Sequence, residues 1–97
     1  MFVVLLKPAA ARARAGDFLA GHKAWLEQGL ADGVFALWGS LKPDGGGAIL
    51  VRGLDRAALM ARIAEDPFVS GGVVTPEVIE IAPARAEPRL DFLLGDA

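Results

Sequence analysis

Apolar residues follow two rhythms along this chain. Residues 2–7 (FVVLLK), 34–41 (VFALWGSL), 48–52 (AILVR) and 73–81 (VVTPEVIEI) are short runs rich in β-branched, leucine and aromatic residues, of strand length. Residues 18–32 (FLAGHKAWLEQGLAD) and 56–65 instead repeat their apolar positions three and four apart, as a helix with one buried face does. The punctuation agrees with this division. Asp17 and Asp55 stand where helix N-caps are wanted, and Gly33 closes the first helix. Pro43-Asp-Gly-Gly-Gly47 reads as the turn of a hairpin. The second helix stops ahead of Pro67, because a residue before proline is steered out of the helical region. Pro76 marks the last strand as an edge strand or a bulged one.

The resulting order is βαββαβ, the arrangement of the ferredoxin-like split βαβ fold. It predicts an α+β domain: a four-stranded antiparallel sheet in the order 4-1-3-2, with two helices on one face. One domain over residues 1–97 is expected, with its core in 1–82. The tail 83–97 has Leu90, Phe92, Leu93 and Leu94 to bury and is free to reach across a partner. Phe2 to Leu6 and Val34 to Trp38 show no alternation with polar residues, whereas an antiparallel sheet with one wet face would alternate. A second copy packed on the face away from the helices, forming a homodimer, is the simplest cover.

Composition sharpens that expectation. Hydrophobic residues are 54% of the chain, above the roughly 45–50% usual for soluble domains, and 97 residues enclose little interior. The net charge of −2 gives no basic face for nucleic acid. The absence of cysteine excludes disulfides and thiolate chemistry and fits a cytoplasmic protein. The opening apolar run is too short for a signal or a membrane span. One histidine with scattered acids offers no metal site, and Gly45-Gly-Gly47 lacks the Lys-Ser/Thr of a phosphate loop, so neither metal nor cofactor is expected.

What chemistry remains centres on His22. On a helical wheel starting at Phe18, His22 falls at about 40°, inside the arc shared by Leu19, Trp25, Leu26 and Leu30, so it faces the sheet. Asp66 continues the inward stripe of Leu59, Met60 and Ile63 to the end of the second helix. The topology carries the upper half of helix one, the top of helix two, the end of strand two and the start of strand four to one rim. His22 and Asp66 are therefore expected to meet. A carboxylate that takes the proton of one imidazole nitrogen fixes the tautomer and frees the other nitrogen for acid–base work. Other readings stand beside this one. His22 could be a hydrogen-bonded core residue, and Asp66 a cap for a nearby backbone N–H. Trp25, Trp38 and Phe68 could be packing residues as readily as substrate walls. Ser40 as a nucleophile has no supporting Gly-x-Ser-x-Gly elbow.

Taken together, Ala20-Gly-His22, Asp32-Gly33, Gly39, Gly47, Glu65-Asp-Pro-Phe68 and Gly72-Val73 give the chain a further likeness. Over most of residues 1–82 it resembles the YciI-like family, the YCII-related domain. The resemblance implies a ferredoxin-like protomer in a dimeric α+β barrel, with His22 and Asp66 in the positions of a shared pair suspected of catalysis. It also implies dehydrochlorinase- or isomerase-like chemistry among relatives. The expectation is a small cofactor-free enzyme of the lyase or isomerase type, moving a proton on a cyclic or aromatic metabolite through His22 and Asp66. Trp25, Trp38, Gly39, Ser40, Phe68 and Gly72 would line its substrate site, with backbone N–H groups of Gly71-Gly72 or the Ser40 hydroxyl holding a polar substituent. The alternatives are a non-catalytic module binding a small molecule and a dimerisation domain with a filled core.

Overall fold

Strand β1 (Phe2–Pro8) buries every second side chain: Phe2, Val4 and Leu6 are almost fully enclosed on one face. In the computed structural model, which describes residues 1–96, β1 lies inside the sheet. It pairs antiparallel with β3 (Gly47–Val51) on one side and β4 (Val74–Glu80) on the other, and β2 (Phe35–Ser40) flanks β3. The order β2-β3-β1-β4 is the expected one read from the opposite edge. β4 is an edge strand, so Pro76, opposite Leu6, forfeits no ladder bond on its outer side.

An irregularity in β2 matters for the site. Phe35 lies opposite Val51, but after a register shift Leu37 lies opposite Leu50 and Trp38 opposite Ile49. In a regular strand, positions three apart point to opposite faces. The shift lets both Phe35 and Trp38 meet the buried row of β3.

Three helices cover that face: α1 (Ala15–Ala31), α2 (Arg56–Ala64) and the short α3 (Pro67–Ser70). Trp25 and Leu26 of α1 and Leu59 and Ile63 of α2 join Phe2, Val4, Leu6, Phe35, Ile49 and Val51 in one core. Trp25 Nε1 donates to the carbonyl of Arg62 at 2.9 Å, tying α1 to α2. Among the described residues no helix is long and apolar enough to cross a membrane.

Several local expectations are corrected. Asp17 does not cap α1. The helix starts at Ala15, after a 3₁₀ turn at Arg12–Arg14, and Asp17 sits in its first turn, accepting from Arg14 Nε at 3.1 Å. Backbone bonds from Ala9 to Val73 and from Ala11 to Gly72 hold the segment before α1 against the strand-four end of the sheet, so coiling begins earlier. Asp55 does cap α2, accepting from the Ala58 N–H at 2.8 Å. Leu19, Leu30 and Met60 are largely exposed, so the helix faces that meet the sheet are narrower than their apolar arcs. The 3₁₀ helix at Pro88–Asp96 buries Leu93 within the same chain and sets Phe92 beneath the Arg52 guanidinium at 5.8 Å. On the outer sheet face Leu37 is 65% exposed and Ile79 42%.

Asp32, at the end of α1, accepts from Gln28 at 2.8 Å and pairs with Arg62 of α2 at 3.0 Å. The Gln28 hydrogen bond first, and Arg62 second, hold its carboxyl below the ordinary value. The folded state therefore favours the ionised form, which stabilises it at neutral pH and is lost as pH falls through the depressed value. Thermal melts of wild type and Asp32→Asn are expected to differ at pH 7 and to converge well below about pH 4.

Candidate active site

The junction between α2 and α3 assembles the site. Glu65 closes α2, and Asp66 leaves the helical region with φ −70° and ψ 119°. Pro67 at the first position of α3 is already set to a helical φ and has no N–H to leave unpaired. Asp66 thus does not continue the spiral of α2, as the sequence led one to expect, but is the N-cap of α3. Its Oδ1 accepts from the Phe68 N–H at 3.0 Å.

The same Oδ1 stands 2.8 Å from Nδ1 of His22. Both readings of Asp66 therefore hold: it caps a backbone N–H and it pairs with the histidine. The carboxylate is fully buried, and the imidazole is 12% exposed. Asp66 Oδ2 is buried and has no hydrogen-bond partner among the described residues. A carboxylate so stripped of solvent gains unusually much when positive charge appears on its neighbour.

Two contacts fix the imidazole besides that bond. Phe68 stacks on it almost parallel, with centroids 3.9 Å apart and planes at 5°. Trp25 lies 6.1 Å away at 25°. Gly21 lets α3 come close, since a Cβ there would stand 2.9 Å from Pro67 Cγ. Nδ1 is committed to Asp66, and among the described residues no hydrogen bond engages Nε2.

His22 borders a cavity of about 510 Å³ between α1, α3 and the buried sheet face, within the range of small-molecule sites. Its walls include Leu6, Leu26, Trp38, Ile49, Phe68 and Val74, while Leu19 and Ser40 are exposed lining residues. Gly46 shapes one side: its φ is +83°, and a Cβ there would collide with the Leu6 carbonyl at 2.2 Å.

Of the residues singled out from sequence, His22, Trp38, Gly39, Ser40 and Phe68 line the cavity, and Asp66 stands behind the histidine. Trp25 and Gly72 do not line it. Trp25 is buried edge-on against Phe35 at 5.0 Å. The Gly71 and Gly72 N–H groups, expected to hold a substituent, are spent on the carbonyls of Pro67 and Val69 in the turn that ends α3. No hydrogen bond joins Ser40 to His22 among the described residues, so the Ser40 nucleophile is not assembled. Gly46, Ala48 and Ile49 escaped the sequence reading. The hairpin pairing of β2 with β3 could have signalled them, since it puts Ile49 opposite Trp38 and Ala48 opposite Gly39. Among the described residues no group of three or more His, Cys, Asp or Glu could hold a metal ion.

With this geometry in view, comparison with known proteins is informative. The fold is similar to that of the 5-chloro-2-hydroxyhydroquinone dehydrochlorinase TftG from Burkholderia phenoliruptrix AC1100, solved in complex with 2,5-dihydroxybenzoquinone. The TM-score is 0.67 and the identity 17%, over 84% of this chain and 93% of that one. No curated protein matches the sequence. Residues 1–83 match the YCII-related domain, and the chain belongs to that family.

Proposed function

We propose that this protein is a small enzyme that moves a proton on a cyclic or aromatic substrate, in a reaction of the lyase or isomerase type. The observation that carries the reading is His22: Nδ1 bound to a buried carboxylate, Nε2 unengaged, and the ring at the wall of an apolar cavity. Nε2 accepts a proton from the substrate, and the bonding pair left behind moves into a new double bond. In an elimination a leaving group departs with its own pair. In an isomerisation the proton returns from Nε2 to another atom. Asp66 holds the tautomer and offsets the charge of the transient imidazolium. Trp38, Ile49 and Phe68 limit water around the reacting atoms. TftG, a dehydrochlorinase that binds a dihydroxybenzoquinone, supports hydroxylated rings as the first substrates to try.

The test is a screen of hydroxylated aromatics, chlorinated hydroquinones and lactones, following proton release, chloride release and ultraviolet spectra. The expected result is turnover that His22→Ala removes. Binding that needs His22 without turnover of any compound would identify a non-catalytic module instead.

The protein is also proposed to work as a homodimer through the outer face of its sheet. Support comes from Leu37, at 65% exposure, which begins a row that crosses the outer face through the half-buried Leu50 and Val3 to Ile79 on the far edge strand. Sedimentation velocity should give a dimer for wild type and a folded monomer for Leu37→Lys. A monomeric wild type would sink this assembly.

A further inference from the structure

Among the described residues, the cavity beside His22 is lined by no charged side chain apart from what the imidazole itself can carry. Among the described lining residues there is no lysine, arginine, aspartate or glutamate. Nearby charges are already committed or point away. Arg62 is paired with Asp32. Arg14 pairs with Asp17 and lies over the Phe18 ring. Lys23, Glu27 and Glu65 are exposed and do not line the cavity.

Asp66 then decides what else can enter. It is fully buried and supplies the one negative charge that an imidazolium at His22 would balance. A ligand carboxylate at Nε2 would set two carboxylates on a single imidazole. Ligand, imidazole and Asp66 together would carry one negative charge more than with a neutral ligand, whether the imidazole is protonated or not, and no described lining residue supplies a second cation to offset it. Burying an uncompensated charge is costly. A neutral hydroxyl that donates to Nε2 brings no charge at all. When its proton moves, the total charge of ligand, imidazole and Asp66 stays the same, because the imidazolium and the new oxyanion appear together. We infer that the site selects uncharged rings bearing hydroxyl or oxo groups and rejects their carboxylate analogues. The selecting groups are Asp66, which has spent the charge of the imidazole, and walls such as Leu26, Ile49 and Phe68, which offer no second cation.

This rests on the reading of the cavity as a ligand site, and its test is binding, which does not depend on turnover. Three probes share one ring: catechol, 3,4-dihydroxybenzoate and methyl 3,4-dihydroxybenzoate. The ester matches the acid in substitution and exceeds it in size, but lacks the charge. By calorimetry at pH 8, wild type should bind catechol and the ester, with the acid about tenfold or more weaker than the ester. Leu19 lies on the lining, is 41% exposed, and precedes His22 by one turn of α1, so a cation fits there without being buried. Leu19→Lys should strengthen binding of the acid relative to both catechol and the ester, narrowing or reversing the wild-type preference. Equal affinity of wild type for acid and ester, or no saturable binding of any of the three, would overturn the inference. The wild-type comparison decides the matter even if the variant folds poorly. Ester-over-acid preference without turnover of any compound would overturn the enzymatic reading alone.

Discussion

Replacing His22 by alanine is expected to lower kcat on any substrate the wild type turns over by roughly 10²–10⁴-fold, the range for loss of a positioned acid–base group. Among the described residues no second side chain can take over the proton, because none of the other residues lining the cavity is titratable. Alanine also strips Asp66 of its partner and Phe68 of the ring it stacks on, so part of the loss could come from a loosened fold. His22→Asn removes that ambiguity. Its amide nitrogen can stand where Nδ1 stands and donate to Asp66, while nothing replaces Nε2. The asparagine variant should keep the wild-type unfolding midpoint within about 1 kcal/mol and lose turnover as fully as alanine does. Turnover of the asparagine variant within about tenfold of wild type would mean that the proton travels elsewhere.

Asp66 should give the second large effect, and its two substitutions separate two roles. Asp66→Ala deletes the cap on the Phe68 N–H, worth about 1 kcal/mol. It also leaves the Nδ1–H of a mostly buried imidazole without an acceptor, at about 1–3 kcal/mol. A total of roughly 2–4 kcal/mol is a large share of the 5–15 kcal/mol typical of a domain, and urea unfolding would register it. Asp66→Asn retains an oxygen that can accept from both Phe68 and His22, but it lacks the negative charge and places an amide group where the partnerless Oδ2 now lies. Its stability should fall less than that of the alanine variant. Its kcat should drop by about 10²-fold or more, because an uncharged neighbour no longer offsets the imidazolium. A rate equal to wild type in Asp66→Asn would reduce Asp66 to a helix cap. The backbone bond to Phe68 and the side-chain bond to His22 share one oxygen, so only kinetics divides them.

The inward direction of His22 and the end of α2 before Pro67 were both legible in the sequence. They rest on local rules, the helical period and the steric effect of proline on its predecessor, which neighbours do not alter. The meeting of His22 with Asp66 needed one more step, the handedness and order of a βαββαβ chain, which leaves few topologies. Helix α3 was not legible. Four residues carry no periodic signal, and Phe68 sits in it for reasons of packing. Nor could the two tryptophans be told apart. Both face the core, but Trp25 is sealed between Arg62 and Phe35, whereas the shifted register of β2 turns Trp38 to the cavity.

The sequence by itself determined the order of elements, the antiparallel sheet and the inward histidine, because periodicity, proline and glycine act over a few residues. Tertiary structure alone decided that one carboxylate oxygen serves both Phe68 and His22, that Phe68 lies flat on the imidazole, and that the described residues lining the hollow beside them add no second charge. Those features depend on how closely α1, α3 and the sheet approach one another. That distance is set by side-chain volumes from four separate parts of the chain, and no local pattern encodes it.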